Sequence, residues 1–202
     1  MSDQFIPDQS PGSQSAGWQG RSIATSSGRL RLEPLSREHA AEMVQVLKDP
    51  SLNEHIGGQP PSVDYLTTRY DTLSSRRSPG GNELWLNWII RLNAEGPAVG
   101  YVQATVREGS AALAWVVGVP WQRAGIATEA ASTMIGILRH ELALTTFSAS
   151  ISPSNQASQR VAAKLGMSRA GMMAEGEDVW VVSVPTQESA TPEVSTDGGR
   201  AR

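Results

Sequence analysis

The stretch from Ala111 to Leu142 constrains this chain most, because it reads as a strand, a tight turn and a helix in immediate succession. Ala112-Leu113-Ala114-Trp115-Val116-Val117 is a short apolar run closed by Gly118 and Pro120. Runs of this length, bracketed by breakers, form buried strands. From Thr128 to Leu142 the residues Ala130, Ala131, Met134, Ile135, Ile137 and Leu138 recur at the spacing of a helix lying on a core. Between them, Gln122-Arg123-Ala124-Gly125-Ile126-Ala127-Thr128 must turn the chain with little side-chain bulk. The first N–H groups of a helix have no partner within it and lie at the positive end of its dipole, so such a turn is a ready anion site. Arg123 adds a formal charge beside it. The turn predicts phosphate or pyrophosphate binding; the plainer alternative is that its small residues only let the helix pack closely. Neither Gly-x-x-x-x-Gly-Lys-Ser/Thr nor Gly-x-Gly-x-x-Gly occurs in the chain, which excludes the two commonest phosphate loops.

Composition narrows the function classes. At 202 residues and 39% hydrophobic, the chain suits one domain, burying ~70% of its surface if ~150 residues fold. A net charge of −3 argues against a nucleic-acid partner held by phosphate neutralisation. With no cysteine, disulfides, thiol catalysis and Cys-ligated metals are ruled out. His39, His55 and His140 have no metal-ligand spacing. No apolar run approaches the ~20 residues of a membrane span, and no signal-like start is present. A cytoplasmic location is the expectation.

Residues 1–27, with isolated Phe5, Ile6 and Trp18, and residues 185–202 are rich in Ser, Gln, Gly, Pro and Thr. Neither segment carries enough apolar surface to offset ordering entropy, so both are expected to be disordered tails around a domain over 28–184. Within it, Arg29 to Glu33 alternates as a first strand ended by Pro34. Ser36 caps a helix to Lys48, and Ser62 starts a second with Tyr65, Leu66, Tyr70 and Leu73. From Glu83 the period becomes two: Leu84, Leu86, Trp88, Ile90 and Leu92 share one face, Trp85, Asn87, Ile89 and Arg91 the other. A turn at 93–97 and the run Val99 to Val106 complete an antiparallel meander leading into the Ala112 strand. After the central helix come a strand at 145–151, a helix from Ser154 or Asn155 to Leu165 ended by Gly166, and two strands near 167–173 and 178–184. This order predicts an α+β fold with helices on the faces of a sheet.

Gln122-Arg123-Ala124-Gly125-Ile126-Ala127 resembles the acyl-CoA loop Gln/Arg-x-x-Gly-x-Gly/Ala of the GNAT (Gcn5-related) N-acetyltransferases. Thirty residues after Gly125, Asn155-Gln156-Ala157-Ser158 with Lys164-Leu165-Gly166-Met167 is similar to that family's Asn-x-x-Ser…Lys-Leu-Gly-Phe/Met segment. The resemblance covers roughly residues 28–184 and is nearest the RimJ/RimL-like branch. It implies a mixed, mostly antiparallel central sheet with helices on both faces, and acetyl-CoA as co-substrate without a metal. The backbone of Val117 and Val119 would pair with the pantetheine arm, and the loop from Gln122 through Arg123, Ala124, Gly125, Ile126 and Ala127 to Thr128 would take the pyrophosphate. Asn155 would bond the arm as well as cap its helix.

Acetyl transfer to an amine needs a held thioester, a neutral amine, a donor to the developing oxyanion and an acid for the thiolate. Many relatives carry a tyrosine acid at the position of Ala162, and a strand glutamate where this chain has Ala112 and Ala114. Ser158 matches the serine of the RimL-like branch and is the candidate acid, with simple helix packing as its plainer role. Glu83, beside Trp85, is the candidate base acting through water, with a solvated loop charge as the plainer role. Glu129 is expected to serve the helix dipole. The acceptor site is expected in residues 50–88, with Tyr65, Tyr70, Trp85, Trp88, Trp115 and Trp121 as its aromatic candidates and Trp88 read as core. Three functions follow: acetylation of a small-molecule amine, acetylation of a protein N-terminus, or acyl-CoA binding without turnover. Neither a nucleic acid nor a membrane is an expected partner; a homodimer is left open.

Overall fold

In the computed structural model, which describes residues 17–173 and 176–185, the alternating runs of the sequence become one eight-stranded sheet. Its strands are β1 (Ile23–Ala24), β2 (Leu30–Pro34), β3 (Leu84–Leu92), β4 (Ala98–Arg107), β5 (Ser110–Val117), β6 (Thr146–Ile151), β7 (Ser168–Met172) and β8 (Asp178–Ser183). They lie in the order β1-β2-β3-β4-β5-β6-β8-β7. Every pairing is antiparallel except β5 with β6. The helices are α1 (Ala40–Val46), α2 (Asn53–Ile56), α3 (Val63–Ser74), α4 (Ile126–Leu142) and α5 (Gln156–Lys164). No helix among the described residues is long and apolar enough to cross a membrane.

Residues directly opposite one another in a ladder share a face, so the register separates the two cores. Leu86, Trp88 and Ile90 of β3 pair with Ala104, Val102 and Gly100 of β4, which pair with Leu113, Trp115 and Val117 of β5. This face meets α4 and α5 through Ala130, Met134, Leu138 and Ala162 in the larger core. On the opposite face Ile89, Tyr101 and Val116 meet α1 and α3 through Met43, Val46, Leu66 and Tyr70. A polar brace ties α1 to this face. Arg91 Nη1 and Nη2 donate to both Glu42 oxygens at 3.1 and 3.0 Å, and Arg91 Nε donates to Glu33 at 2.8 Å.

Capping follows the sequence. Ser62 accepts from the Tyr65 N–H at 3.1 Å, and Asn155 accepts from the Ser158 N–H at 3.0 Å, each satisfying a first-turn donor. The folded region begins earlier than its composition suggests. Residues 18–20 form a 3-10 turn and Ile23–Ala24 is an edge strand. Trp18 is 7% exposed and stacks on Trp88 with ring centroids 6.4 Å apart. The expected tail over residues 1–27 is therefore corrected in part: Trp18 and Thr25 are buried, and Ile23–Ala24 pairs with β2. Residues 1–16 and 186–202, the outer parts of the expected tails, lie outside the described residues.

Candidate active site

The site is built where β5 and β6 part. Their parallel pairing spans only three rows, Ser110–Thr146, Ala111–Phe147 and Ala112–Ser148, while β5 continues to Val117. In an antiparallel ladder, consecutive residues point their backbone groups alternately toward and away from the partner strand. The Gly118 N–H donates to Val99 of β4 at 2.8 Å, so Val117, Trp115 and Leu113 turn theirs toward the gap. The Val117 carbonyl accepts from Gln122 Nε2 at 3.0 Å. Gln122 is thus turned inward, closing its loop on the end of β5, and Val119 begins a 3-10 turn whose carbonyl accepts from the Gln122 N–H.

From there the chain enters α4 through two left-handed residues, Arg123 (φ 61°) and Gly125 (φ 76°). Glycine adopts this conformation without the Cβ strain that other residues carry, so Gly125 suits its place before the helix. The first helical bond runs from the Glu129 N–H to the Gly125 carbonyl at 3.0 Å. Among the described residues, the N–H groups of Arg123, Ala124, Gly125, Ile126, Ala127 and Thr128 meet no backbone or capping acceptor. They form the positive, donor-rich end of a 17-residue helix.

This loop is held from behind by the segment read as tail. Thr25 and Ser27 hydroxyls each donate to Glu129 Oε1 at 2.6 Å. Arg29 Nε donates to Glu129 Oε2 at 3.1 Å, and Arg29 Nη1 donates to the Ala124 carbonyl at 3.0 Å. Glu129 therefore does more than complement the helix dipole: it anchors the first turn of α4 to the connection between β1 and β2. Burial would raise its carboxyl, but the hydrogen bonds from Ser27, Thr25 and Arg29 outweigh that and hold it below the ordinary value. Burial acts likewise on Glu42, where Arg91 and the Ala98 N–H prevail and lower it. A carboxyl lowered in the folded state contributes stability that is present above its unfolded pKa, ~4.3. That contribution disappears as pH falls through the lower folded value. Differential scanning calorimetry from pH 7 to 3 should show Tm falling below about pH 4, with a shallower fall in Glu129→Gln and Glu42→Gln.

Asn155 and Ser158 lie in the entry turn of α5, which follows the end of β6 that no longer pairs with β5. Asn155 Oδ1 is committed to the Ser158 N–H. Ala162 is fully buried, so no side chain projects from the position of the family tyrosine. Glu83 lies elsewhere: it precedes the Leu84–Val106–Ala111 row, and its carboxylate accepts from Trp85 Nε1 at 3.0 Å. At ~3.3 Å per residue the register separates Glu83 from the start of α5 by roughly 15 Å along the strands. Glu83 and Ser158 are not brought together.

A cavity of about 620 Å3 opens over the other face of the meander, between the sheet and Leu47 at the end of α1, the 57–62 loop and α3. Its floor is Asn87, Tyr101 and Gln103; Tyr65, Arg69 and Tyr70 of α3 are in its wall. Gln103 pairs with Asn87 on one side and Ala114 on the other, so the floor leads straight to the unpaired part of β5. Of the expected aromatic lining, Tyr65 and Tyr70 are in the cavity. Trp88 is core at 1% exposure, and Trp115 and Trp121 pack against the cores. Tyr101 and Gln103 were missed. Their signal was present in the alternation of β4, whose polar face follows once Asn87 is assigned to the cavity side. Among the described residues, no cluster of three or more His, Asp or Glu side chains is placed to hold a metal ion.

A family profile described as "Acetyltransferase (GNAT) domain" matches residues 29–168. No curated protein matches the chain. Among solved structures, an acetyltransferase of the GNAT family from Bacillus anthracis superposes with a TM-score of 0.67 at 19% identity, covering 83% of this chain and 100% of that one. RimJ from Mycobacterium smegmatis, in complex with CoA-disulfide, gives 0.67 at 20% identity, covering 81% and 85%. An aminoglycoside acetyltransferase in complex with coenzyme A gives 0.64 at 18% identity, covering 76% and 94%. At these identities the structures share the fold, and the profile match carries the family. The chain belongs to the GNAT family of acetyl-CoA-dependent N-acetyltransferases.

Proposed function

We propose that the chain transfers the acetyl group of acetyl-CoA to a primary amine seated in the cavity above Asn87 and Gln103. The parting of β5 from β6 after Ala112 carries this reading, because it leaves a strand edge on which an extended amide-bearing arm can pair. The edge leads to the six N–H groups of Arg123 to Thr128 that meet no backbone acceptor, suited to a pyrophosphate. The amine nitrogen attacks the thioester carbonyl from the cavity side; the C–N bond forms, the C–S bond breaks and the sulfur leaves as thiolate. An N–H of the unpaired β5 edge is aimed to hold the developing oxyanion. The ammonium loses its proton to water, and the thiolate gains one.

Ser158 is the proposed proton donor, supported by its position in the first turn of α5, just after the end of β6 that has parted from β5. Glu83, which lies outside the cavity lining with its carboxylate engaged by Trp85, is the proposed base and acts through a chain of water. Because a thiol is a good leaving group, Ser158→Ala is expected to lower kcat by only about tenfold, below the roughly 100-fold or more usual for a general acid, while KM for acetyl-CoA stays within about twofold. Steady-state thiol release measures both. Acetylation of a peptide N-terminus is the second reading, favoured by the Asn155–Ser158 pair and by the shared fold with RimJ. Thiol release from acetyl-CoA across amines and peptides, with the acetylated product identified by mass spectrometry, tests the reading. Acetyl-CoA binding without product from any acceptor would leave only a binding module.

A further inference from the structure

We infer that the acceptor is an amine that also carries a carboxylate, held by hydrogen-bond donors at the α3 end of the cavity while its amine reaches the β5 gap. This inference rests on the acetyl-transfer reading and adds a substrate class to it.

The charge of the cavity is unbalanced in one direction. Arg69 is the one charged side chain among its described lining residues, and no aspartate or glutamate lines it. Among the described residues no carboxylate lies within ion-pair distance of Arg69. Tyr70 is only 4% exposed, yet its hydroxyl has no hydrogen-bond partner, and neither has the buried Asn53 Nδ2. A buried polar group without a partner is uncommon and calls for one. Here the cavity-lining groups left without one are both able to donate, and they share the cavity with a guanidinium, which has five donors and no acceptor.

The phenols keep their protons. Burial raises Tyr70 first, the neighbouring Tyr101 adds to that, and Arg69 only partly offsets them. Burial likewise raises Tyr101 against the pull of Arg69. Both therefore present O–H groups at neutral pH. A polycationic amine would meet Arg69 with no carboxylate to compensate, whereas a carboxylate completes the charge and the missing hydrogen bonds together.

Dimensions fit the same assignment. Helix α3 packs over β3, and the Asn87–Gln103–Ala114 row crosses from β3 to β5, two strand spacings or ~10 Å. An extended tripeptide spans about that length, as does an eight-carbon amino acid.

The test uses the full chain with acetyl-CoA and two matched pairs: Ala-Ala-Phe against its C-terminal amide, and 8-aminooctanoate against its amide, with spermidine as the cationic comparison. The acid is expected to exceed its amide in kcat/KM by about tenfold in at least one pair, with spermidine poorest. In Arg69→Ala, an exposed position that leaves folding undisturbed, the acid-to-amide ratio should fall to about one. The pair that responds separates a peptide from a small-molecule acceptor. A ratio near one in both pairs, a ratio unchanged in Arg69→Ala, or spermidine as the best acceptor would overturn the inference. If acetyl-CoA binds but no amine is acetylated, calorimetric titration of the same pairs in the presence of CoA decides. An acid preference lost in Arg69→Ala keeps the anion site while the transfer reading fails, and no preference ends both.

Discussion

Replacing Gly125 by glutamate is expected to lower the affinity for acetyl-CoA by about 100-fold or more while the fold survives. A residue with a side chain at φ 76° carries about 1–2 kcal/mol of strain, well within the stability of a typical domain. There is room for the side chain, since a Cβ at this position meets only Arg29 Nη2 at 3.9 Å. The effect on the ligand is electrostatic. A carboxylate ~5 Å from a phosphate opposes each negative charge by roughly 1–3 kcal/mol as the effective dielectric falls from 80 to 20, and a pyrophosphate presents two. The new carboxylate also draws Arg29 away from Ala124 and Glu129, loosening the turn that carries the N–H groups. Gly125→Ala has the strain without the charge and should keep most of the binding. Calorimetry at low and high salt separates the two contributions, because repulsion at this exposed turn is screened by salt and strain is not.

Trp18→Ala is expected to destabilise the fold by about 3 kcal/mol, at the lower end for removing a buried tryptophan. For a chain of this size that corresponds to a fall in Tm of roughly 6–12 °C. Trp18 caps the face of the sheet on which Trp88 lies, and its loss uncovers a ring that is otherwise 1% exposed. Trp88→Phe provides the comparison: like Trp18→Ala it removes a buried indole N–H that has no partner, but it keeps an aromatic ring in the stack, so it should cost less. Scanning calorimetry on the three proteins checks the order. An unchanged Tm in Trp18→Ala would mean that residues 17–27 are not part of the fold.

Trp18 also marks where sequence reasoning stops. A single aromatic among Ser, Gly and Gln looks like tail, because the partner that buries it, Trp88, lies seventy residues away and only the sheet brings them together. Thr25, Ser27 and Arg29 were missed for the same reason: their function is to hold Glu129, a hundred residues on. The β5–turn–α4 unit was legible because local signals agree there, with an apolar run ended by Gly118 and Pro120, small residues through the turn, and helical spacing afterwards. The meander was legible from the apolar residues at every second position from Leu84 to Leu92, which fix one face of β3. The parting of β5 from β6 was not, since no residue type specifies where two parallel strands stop pairing; the twist of the sheet decides it. The cavity was half legible. Tyr65 and Tyr70 declare themselves on a helix of known phase, but Gln103 and Tyr101 require the register of β4 against β3.

Backbone amide NMR of the full chain, titrated with acetyl-CoA, tests the central claim most directly. The largest shifts are expected at Arg123 to Thr128 and at Val117, with Ala114 and Gln103 next as the thioester reaches the cavity floor. Saturation with those amides unmoved, or no binding at all, would contradict it.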